Sequence, residues 1–568
     1  MAHPTYTSMV VVVDSDGVVG RGDSIRSQFD RLASRGPPSQ AEAGFRPTIS
    51  PLVFCLFSRH QAQFFRFSRI CRRKPPTLCG EVPLPWLREI GGTMFRTMPT
   101  RLLTPLLRRA STMKASRFIP SRLDNIEDVE DYQPGGYHPI SIGDVFDQGR
   151  YRVLHKLGFG GSSTVWLVRD QREGKDHGRI ATLKAIRADI SSKSPSEIPE
   201  LAIPQRLRQA LPPSHSPDFQ TVDHHFLVQG PSGSHHFLVF PLAGPSVLAM
   251  SDSPGRVSGS RRLRADLARK IAKQTATTLH HIHRAGVVHG GKLFPPLLSR
   301  NTSFQQTIPL DLTTSNILFR LSPRVIEWSD AELYTYLGHP ERENVLTRDG
   351  KPPGPHAPTM LVEPVQNHQI SHASFLQETT IISDFGQSYV VACPPPSYEP
   401  GTVLNYQSPE ARFEGRAGFE ADIWALGCAI FEIRAGFPLF EPFLGSHVDV
   451  LKQMVETLGR LPDPWWGAFE QRARWFGEDG QPKSEQDQER AGVLLTAHKT
   501  SIRTKLLEIG EQDDAPFQDE GPMIENTGKR LPEEEIDLLA DLLQRMLRYS
   551  PEERIRIQDV ILHPWFTL

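Results

Sequence analysis

Gly158-Phe159-Gly160-Gly161 lies between two runs in which apolar residues alternate, as the stretch "GRYRVLHKLGFGGSSTVWLVRD" shows. Alternation at period two on both sides predicts strand, glycine turn, strand. That order constrains the fold. A dinucleotide fingerprint needs a helix directly after its last glycine, whereas "STVWLV" carries the β-branched and large apolar residues of a strand. A glycine loop between two strands forms a flap instead, where missing side chains let backbone N–H groups approach nucleotide phosphates. An ordinary hairpin turn reads from the same residues.

The periodicity then changes along the chain. "HHFLVQGPSGSHHFLVFPLAG", His224 to Gly244, predicts a second strand pair turning at Pro231–Gly233. From Leu263 onward Leu267, Ile271, Leu279 and Ile282 recur at helical spacing, and Ile423–Ile433 and Ile536–Leu547 do the same. Strands come early and helices late, which predicts an α+β chain with a small β-rich lobe and a larger helical one. With 568 residues and 38% hydrophobic content there is material for two to four domains. Residues 1 to about 120, rich in Ser, Arg and Pro without a sustained period, are expected to be disordered or the product of an early start assignment. Order is expected from near Asp131. Met94 to Arg122 holds seven basic residues and no acidic one, which suits either a solvated tail or a mitochondrial presequence starting at Met94.

Three side chains suggest phosphate chemistry. Lys184 in "ATLKAI" sits in an apolar run, where a lysine is costly to bury unless an anion faces it. A nucleotide phosphate and a carboxylate both qualify. Glu200 opens the amphipathic segment "PELAIPQRLRQAL" and is the carboxylate we pair with Lys184; Glu197 is a near alternative, and Pro204 lies inside the expected helix. Asp384 in "IISDFGQSY" follows an apolar run, and a carboxylate there suits Mg²⁺, which takes few protein oxygens.

The glycine loop, Lys184, Asp384, "SPE" (Ser408–Glu410), "DIWALG" (Asp422–Gly427) and "PEERIRIQDVILHPWF" stand in one order and at suitable spacings. Over residues 151 to 566 the chain resembles the eukaryotic protein kinase superfamily. "DYQPGGYHPISIGDVF" before the glycine loop, and a long insert from Leu321 to Thr380 with "ELYTYLGHPE" and "GKPPGPHAP", are similar to a fungal branch of the SR-protein kinase family. The resemblance implies a two-lobed fold: a lead-in at 121–150, an N-lobe at 151–245 and a C-lobe at 246–566. It also implies ATP and Mg²⁺. Leu157, Gly158, Gly160, Ser163, Val165 and Lys184 would hold the nucleotide, with Glu200 behind Lys184. Asn316 and Asp384 would bind the metal, and Asp311 would accept the proton of the substrate serine. Glu410 and Arg554 match a buried structural ion pair.

The catalytic loop of such kinases reads His-x-Asp-(Leu/Ile)-x-x-x-Asn, but here His289-Gly290 is followed by the twenty residues Gly291–Leu310 before "DLTTSN". Without them the chain reads "VVHGDLTTSNILF", with Asp311 and Asn316 correctly spaced. Gly291-Lys292-Leu293 can be encoded with a donor-like GTAAGT and Leu310-Asp311 with an acceptor-like TAG, so a retained intron is expected. A surface loop whose ends close is the other reading, since closure cost grows slowly with length. Catalysis tolerates it less, because a misplacement of about 1 Å can cost on the order of 100-fold.

Gly290 stands where many kinases have an arginine that clasps a phosphorylated loop, so an intrinsically ordered loop is expected. Thr313 replaces a frequent lysine or glutamine. The Pro394–Pro396 run stiffens the segment before Thr402, which lies one residue further from Tyr406 than is usual. Glu533–Glu535 suits either an acidic docking surface for arginine-rich substrates or a solvated helix start. Basic and acidic residues, 64 and 65, nearly cancel, so nothing global points to nucleic acid or a membrane surface. No apolar run reaches the roughly 20 residues of a span. Five scattered cysteines (Cys55, Cys71, Cys79, Cys393, Cys428) suit a reducing compartment, cytoplasm or nucleus. The reading is a serine/threonine protein kinase, a monomer acting on protein substrates, with Arg/Ser-rich splicing-type proteins as candidates. A nucleotide-binding pseudokinase scaffold and a small-molecule kinase are the alternatives.

Overall fold

The computed structural model describes residues 116–173, 178–210, 218–252, 259–290, 312–393, 403–442, 446–493, 495–511, 513 and 521–568. Residues 1–115, the interruption 291–310 with Asp311, the Pro394–Pro396 run and Thr402 lie outside them.

The early alternating segments build one six-stranded antiparallel sheet. Its strands are β1 (Val145–Phe146), β2 (Tyr151–Gly160), β3 (Ser163–Asp170), β4 (Ile180–Ile186), β5 (His224–Gly230) and β6 (Gly233–Pro241), in the order β1-β2-β3-β4-β6-β5. Register sorts the side chains. Trp166, Leu183 and Val239 are paired across three strands and pack on one face with Tyr151, Val153 and Phe237. One residue on, Val165, Lys184 and Leu238 are paired and share the other face. There Leu238 packs with Ile186, Ile198 and Leu201, so helix α1 (Pro199–Ala210) lies on that face.

Beyond β6 the chain crosses to the helical lobe through Pro241–Ser246, which is fastened to the next sheet: Gly244 N–H donates to Phe319 O at 2.8 Å and Phe319 N–H to Pro245 O at 3.0 Å. Two helices form the centre of this lobe. In α2 (Ala265–Arg284) the expected stripe of Leu267, Ile271, Leu279 and Ile282 is fully buried. The helix carrying "DIWALG" (Phe419–Ala435) is buried from Asp422 to its end. Strand β7 is Val287–Val288. The ladder of β8 (Ile317–Leu321) with β11 (Leu376–Ile382) lies between the lobes. Among the described residues no helix is long and apolar enough to cross a membrane.

Two segments pack outside the sheet. Between β8 and β11 the insert forms a helix, α3 (Asp330–Leu337), and a short pair of strands, β9 (Arg342–Asn344) and β10 (Met360–Val362). Val325, Trp328, Leu333 and Leu337 of the insert bury against Leu154, Leu167 and Ile180 of the sheet. The fully buried Arg169 and the nearby Arg152 both reach Asp330, at 2.7 and 2.6 Å. Ahead of the sheet, Phe118, Val129, Tyr132 and Tyr137 form a cluster with Val345, Ala357 and Leu361 of the insert. Packing thus begins earlier than Asp131, with Phe118 only 7% exposed. The partners of these early residues lie more than two hundred positions away, so local periodicity carries no sign of them.

Candidate active site

Strand β4 alternates its neighbours Leu183 and Ala185 into the outer core and turns Lys184 toward α1. Glu200 stands in the first turn of α1, where the helix N-terminus favours a carboxylate. The Lys184 ammonium meets Glu200 at 3.0 Å and Asp384 at 3.6 Å, with all three side chains between 10 and 16% exposed. Burial opposes the lysine's charge, but the two facing carboxylates outweigh it and hold its pKa above the ordinary value. Glu197, the alternative partner, is spent elsewhere: it closes a capping box with Ser194 at the surface. Pro204 sits inside α1 and cannot donate to the carbonyl one turn back, which is that of Glu200.

Asp384 leaves the β8–β11 ladder with φ of 61°, a left-handed conformation uncommon outside glycine. The ladder also fixes Asn316: Ser383 N–H donates to its carbonyl at 2.8 Å, so both expected metal-binding residues stand at the same end of the two strands. An aspartate and an asparagine that approach from paired strands offer hard oxygen ligands and leave the remaining positions open, which fits Mg²⁺. Gly386 lets the Glu200 and Asp384 carboxylates come close, since a Cβ there would stand 2.9 Å from Glu200 Oε1 and 3.2 Å from Asp384 Oδ1 and would press on both. Phe385 is buried with its ring beside Phe219 and His289, at 6.1 and 5.1 Å between centroids.

The catalytic loop is anchored on both sides of its undescribed stretch. Upstream, His289 and Gly290 donate their N–H groups to the two oxygens of buried Asp422, at 2.8 and 3.1 Å, and His283 Nε2 lies 2.9 Å from the same carboxylate. Burial lowers the His289 pKa, against the raising effect of the Asp422 and Asp384 carboxylates. Downstream, the Thr314 hydroxyl lies 3.0 Å from Tyr406 Oη, which in turn donates to Glu432. Burial pushes the Glu432 carboxyl up to about 8, against the lowering contact with Thr314. Thr313 is buried and its hydroxyl pairs with Ser315 at 2.6 Å. Arg554 forks onto Glu410 at 2.6 and 2.7 Å.

Of the residues singled out from sequence, Val165, Lys184, Glu200 and Asp384 come together: Val165 is paired with Gly158 on one side and Lys184 on the other. Gly160 and Ser163 close the hairpin opposite each other, with Ser163 buried and paired to Ile186. Leu157, half-buried, packs against the insert cluster. Glu535 is neither part of an acidic surface nor a solvated helix start: it is buried, accepting from Arg434 at 2.8 Å and pairing with Arg269 at 3.4 Å. Sequence reasoning gave no role to Asp422, Tyr406 or Glu432. A carboxylate inside the apolar "DIWALG" was the available signal for the first.

A six-stranded lobe whose glycine hairpin sits beside a Lys–Glu–Asp group, joined through one segment to a helical lobe, is a protein kinase. The family model "Protein kinase domain" matches residues 375–566, from the last residues of the insert onward. The serine/threonine-protein kinase SRPK of Physarum polycephalum is 25% identical over 456 residues, covering 77% of this chain and 91% of that protein. Protein kinase dsk1 of Schizosaccharomyces pombe is 27% identical, covering 59% of this chain and 71% of its own. SRSF protein kinase 3 of Homo sapiens is 32% identical over 29% of this chain and 27% of its own. The chain is a serine/threonine protein kinase, similar over most of its length to SRPK of Physarum polycephalum.

Proposed function

We propose that the chain transfers the γ-phosphate of ATP to serines in Arg/Ser-rich segments of protein substrates. The observation that carries this is Lys184 held between Glu200 and Asp384, with Phe385 packed between Phe219 and His289. This is the assembled arrangement a kinase needs. In this reading Gly158, Gly160 and Val165 cover the nucleotide and Lys184 orients its phosphates. Asp311 accepts the proton of the attacking hydroxyl. Asn316 and Asp384 would hold Mg²⁺, which supplies charge neutralisation along the phosphates. Most of the acceleration comes from positioning and fixed charge.

The Arg/Ser preference is supported by the name of the human relative, an SRSF protein kinase. The near-zero net charge supports a protein substrate over nucleic acid. The test is phosphate transfer from Mg-ATP to an Arg-Ser-repeat peptide, comparing the chain as written with one lacking Gly291–Leu310. Transfer by the shortened form is expected. Inactivity of both forms with nucleotide still bound would favour the scaffold reading, and transfer to a metabolite alone the small-molecule kinase.

A further inference from the structure

Three of the six residues Gly158–Ser163 are glycines, so contacts from outside the loop bear on the order that phosphate binding needs. The structure places one buried hydroxyl there. Tyr137, 2% exposed, donates from its Oη to Gly160 O at 2.6 Å, on the tip of the β2–β3 hairpin. A trans peptide unit is planar, with its carbonyl and N–H antiparallel. Holding the Gly160 carbonyl therefore turns the Gly161 N–H away from the tyrosine and fixes that plane.

The tyrosine is itself held on every side. The Arg187 guanidinium lies over its ring at 5.2 Å, and Tyr132 meets it edge-on at 5.5 Å. The backbone just before it is hydrogen-bonded to the helical turn that follows β4: Ala188 N–H donates to Gly136 O at 3.1 Å, and Asp189 N–H to Gly135 O at 2.9 Å. Lower in the same hairpin, Lys156 stands two residues before Gly158 and forms a fully buried ion pair with Glu127, which also accepts from the Tyr132 hydroxyl. The insert backs this arrangement through Val345, Ala357 and Leu361, and Val365 N–H donates to Lys156 O at 2.9 Å.

We propose that Tyr137 is a positioning residue for nucleotide binding: the segment ahead of the N-lobe, through this hydroxyl, sets the glycine-loop tip in its phosphate-binding orientation. This rests on the reading that Gly158–Ser163 covers the nucleotide. The proposal concerns nucleotide affinity and release, and leaves peptide recognition alone.

The experiment titrates the full chain with a fluorescent ATP analogue and Mg²⁺, a readout that needs no turnover. Tyr137→Phe keeps the ring and removes one hydrogen bond; it is expected to weaken binding about 3- to 10-fold and to speed nucleotide release by a similar factor. In the form lacking Gly291–Leu310 its KM for the peptide should be unchanged. Arg187→Gln, which lifts the cation off the ring and leaves the hydroxyl, should weaken binding about 2- to 5-fold and serves if the first variant folds poorly. Lys184→Met separates the two ideas. If it weakens binding while Tyr137→Phe and Arg187→Gln bind like the parent, the role of Tyr137 is overturned and the nucleotide reading stands. If Lys184→Met also binds like the parent, the nucleotide reading is overturned and this proposal with it.

Discussion

Lys184 faces Glu200 across 3.0 Å, so a strand of the sheet and the first turn of α1 are joined by one charged contact at the candidate site. Glu200→Gln keeps the shape and removes the charge. The lysine is then left to Asp384 alone, and phosphate transfer is expected to fall about 10- to 100-fold, the equivalent of one charge-assisted hydrogen bond. Measuring kcat and thermal unfolding together checks it: a fall in melting temperature without a fall in kcat would make the pair structural only.

Glu432 ties stability to pH. Its folded pKa is about 8, against an ordinary value of 4.5, so between those values the folded chain retains a proton that the unfolded chain has lost. The contribution is whole below about pH 4.5 and declines as pH rises to about 8, at most by about 1.4 kcal/mol per pH unit. Glu432→Gln should flatten this dependence. Urea denaturation at pH 5, 6.5 and 8 reads the slope, and an unchanged slope in the variant would contradict the assignment.

Arg554 and Glu410 form a buried fork between the "SPE" segment and the end of the chain. Arg554→Ala leaves a carboxylate buried without its partner and should cost about 3–5 kcal/mol. The double variant Glu410→Gln with Arg554→Met removes both charges and should recover part of the loss in equilibrium unfolding.

Asp330 is the insert's charged contact with the nucleotide hairpin, reached by Arg152 and by fully buried Arg169. Asp330→Asn is expected to destabilise by about 1–3 kcal/mol. Hydrogen exchange should speed up in β2 and β3 before it does in α2. Uniform loss of protection across both lobes would show instead that the contact serves global stability.

What the sequence disclosed followed from periodicity and from residue chemistry at short range. Alternation about Gly158–Gly161 located the β2–β3 hairpin, and helical spacing located α2 and the "DIWALG" helix, because each pattern is set by which face an element buries. Lys184 and Glu200 were legible because a lysine in an apolar strand demands an anion. The contacts of Asp422 with His289 and of Tyr406 with Glu432 were not, since each joins residues far apart whose types carry no mark of the partner. Glu535 was misread for a related reason: three glutamates at a helix start look alike until Arg434 and Arg269 select one.

The meeting of Phe118, Val129, Tyr132 and Tyr137 with Val345, Ala357 and Leu361 bears on the order in which the protein can be made. A ribosome delivers the first group more than two hundred residues before the second, so the earliest aromatic side chains of this cluster must wait for these partners while the sheet and the first third of the helical lobe emerge. Such long-range closure slows folding and exposes apolar surface to aggregation. Chaperone engagement of nascent chains that end short of Leu361, and its release once that residue clears the exit tunnel, is the cellular signature this architecture implies.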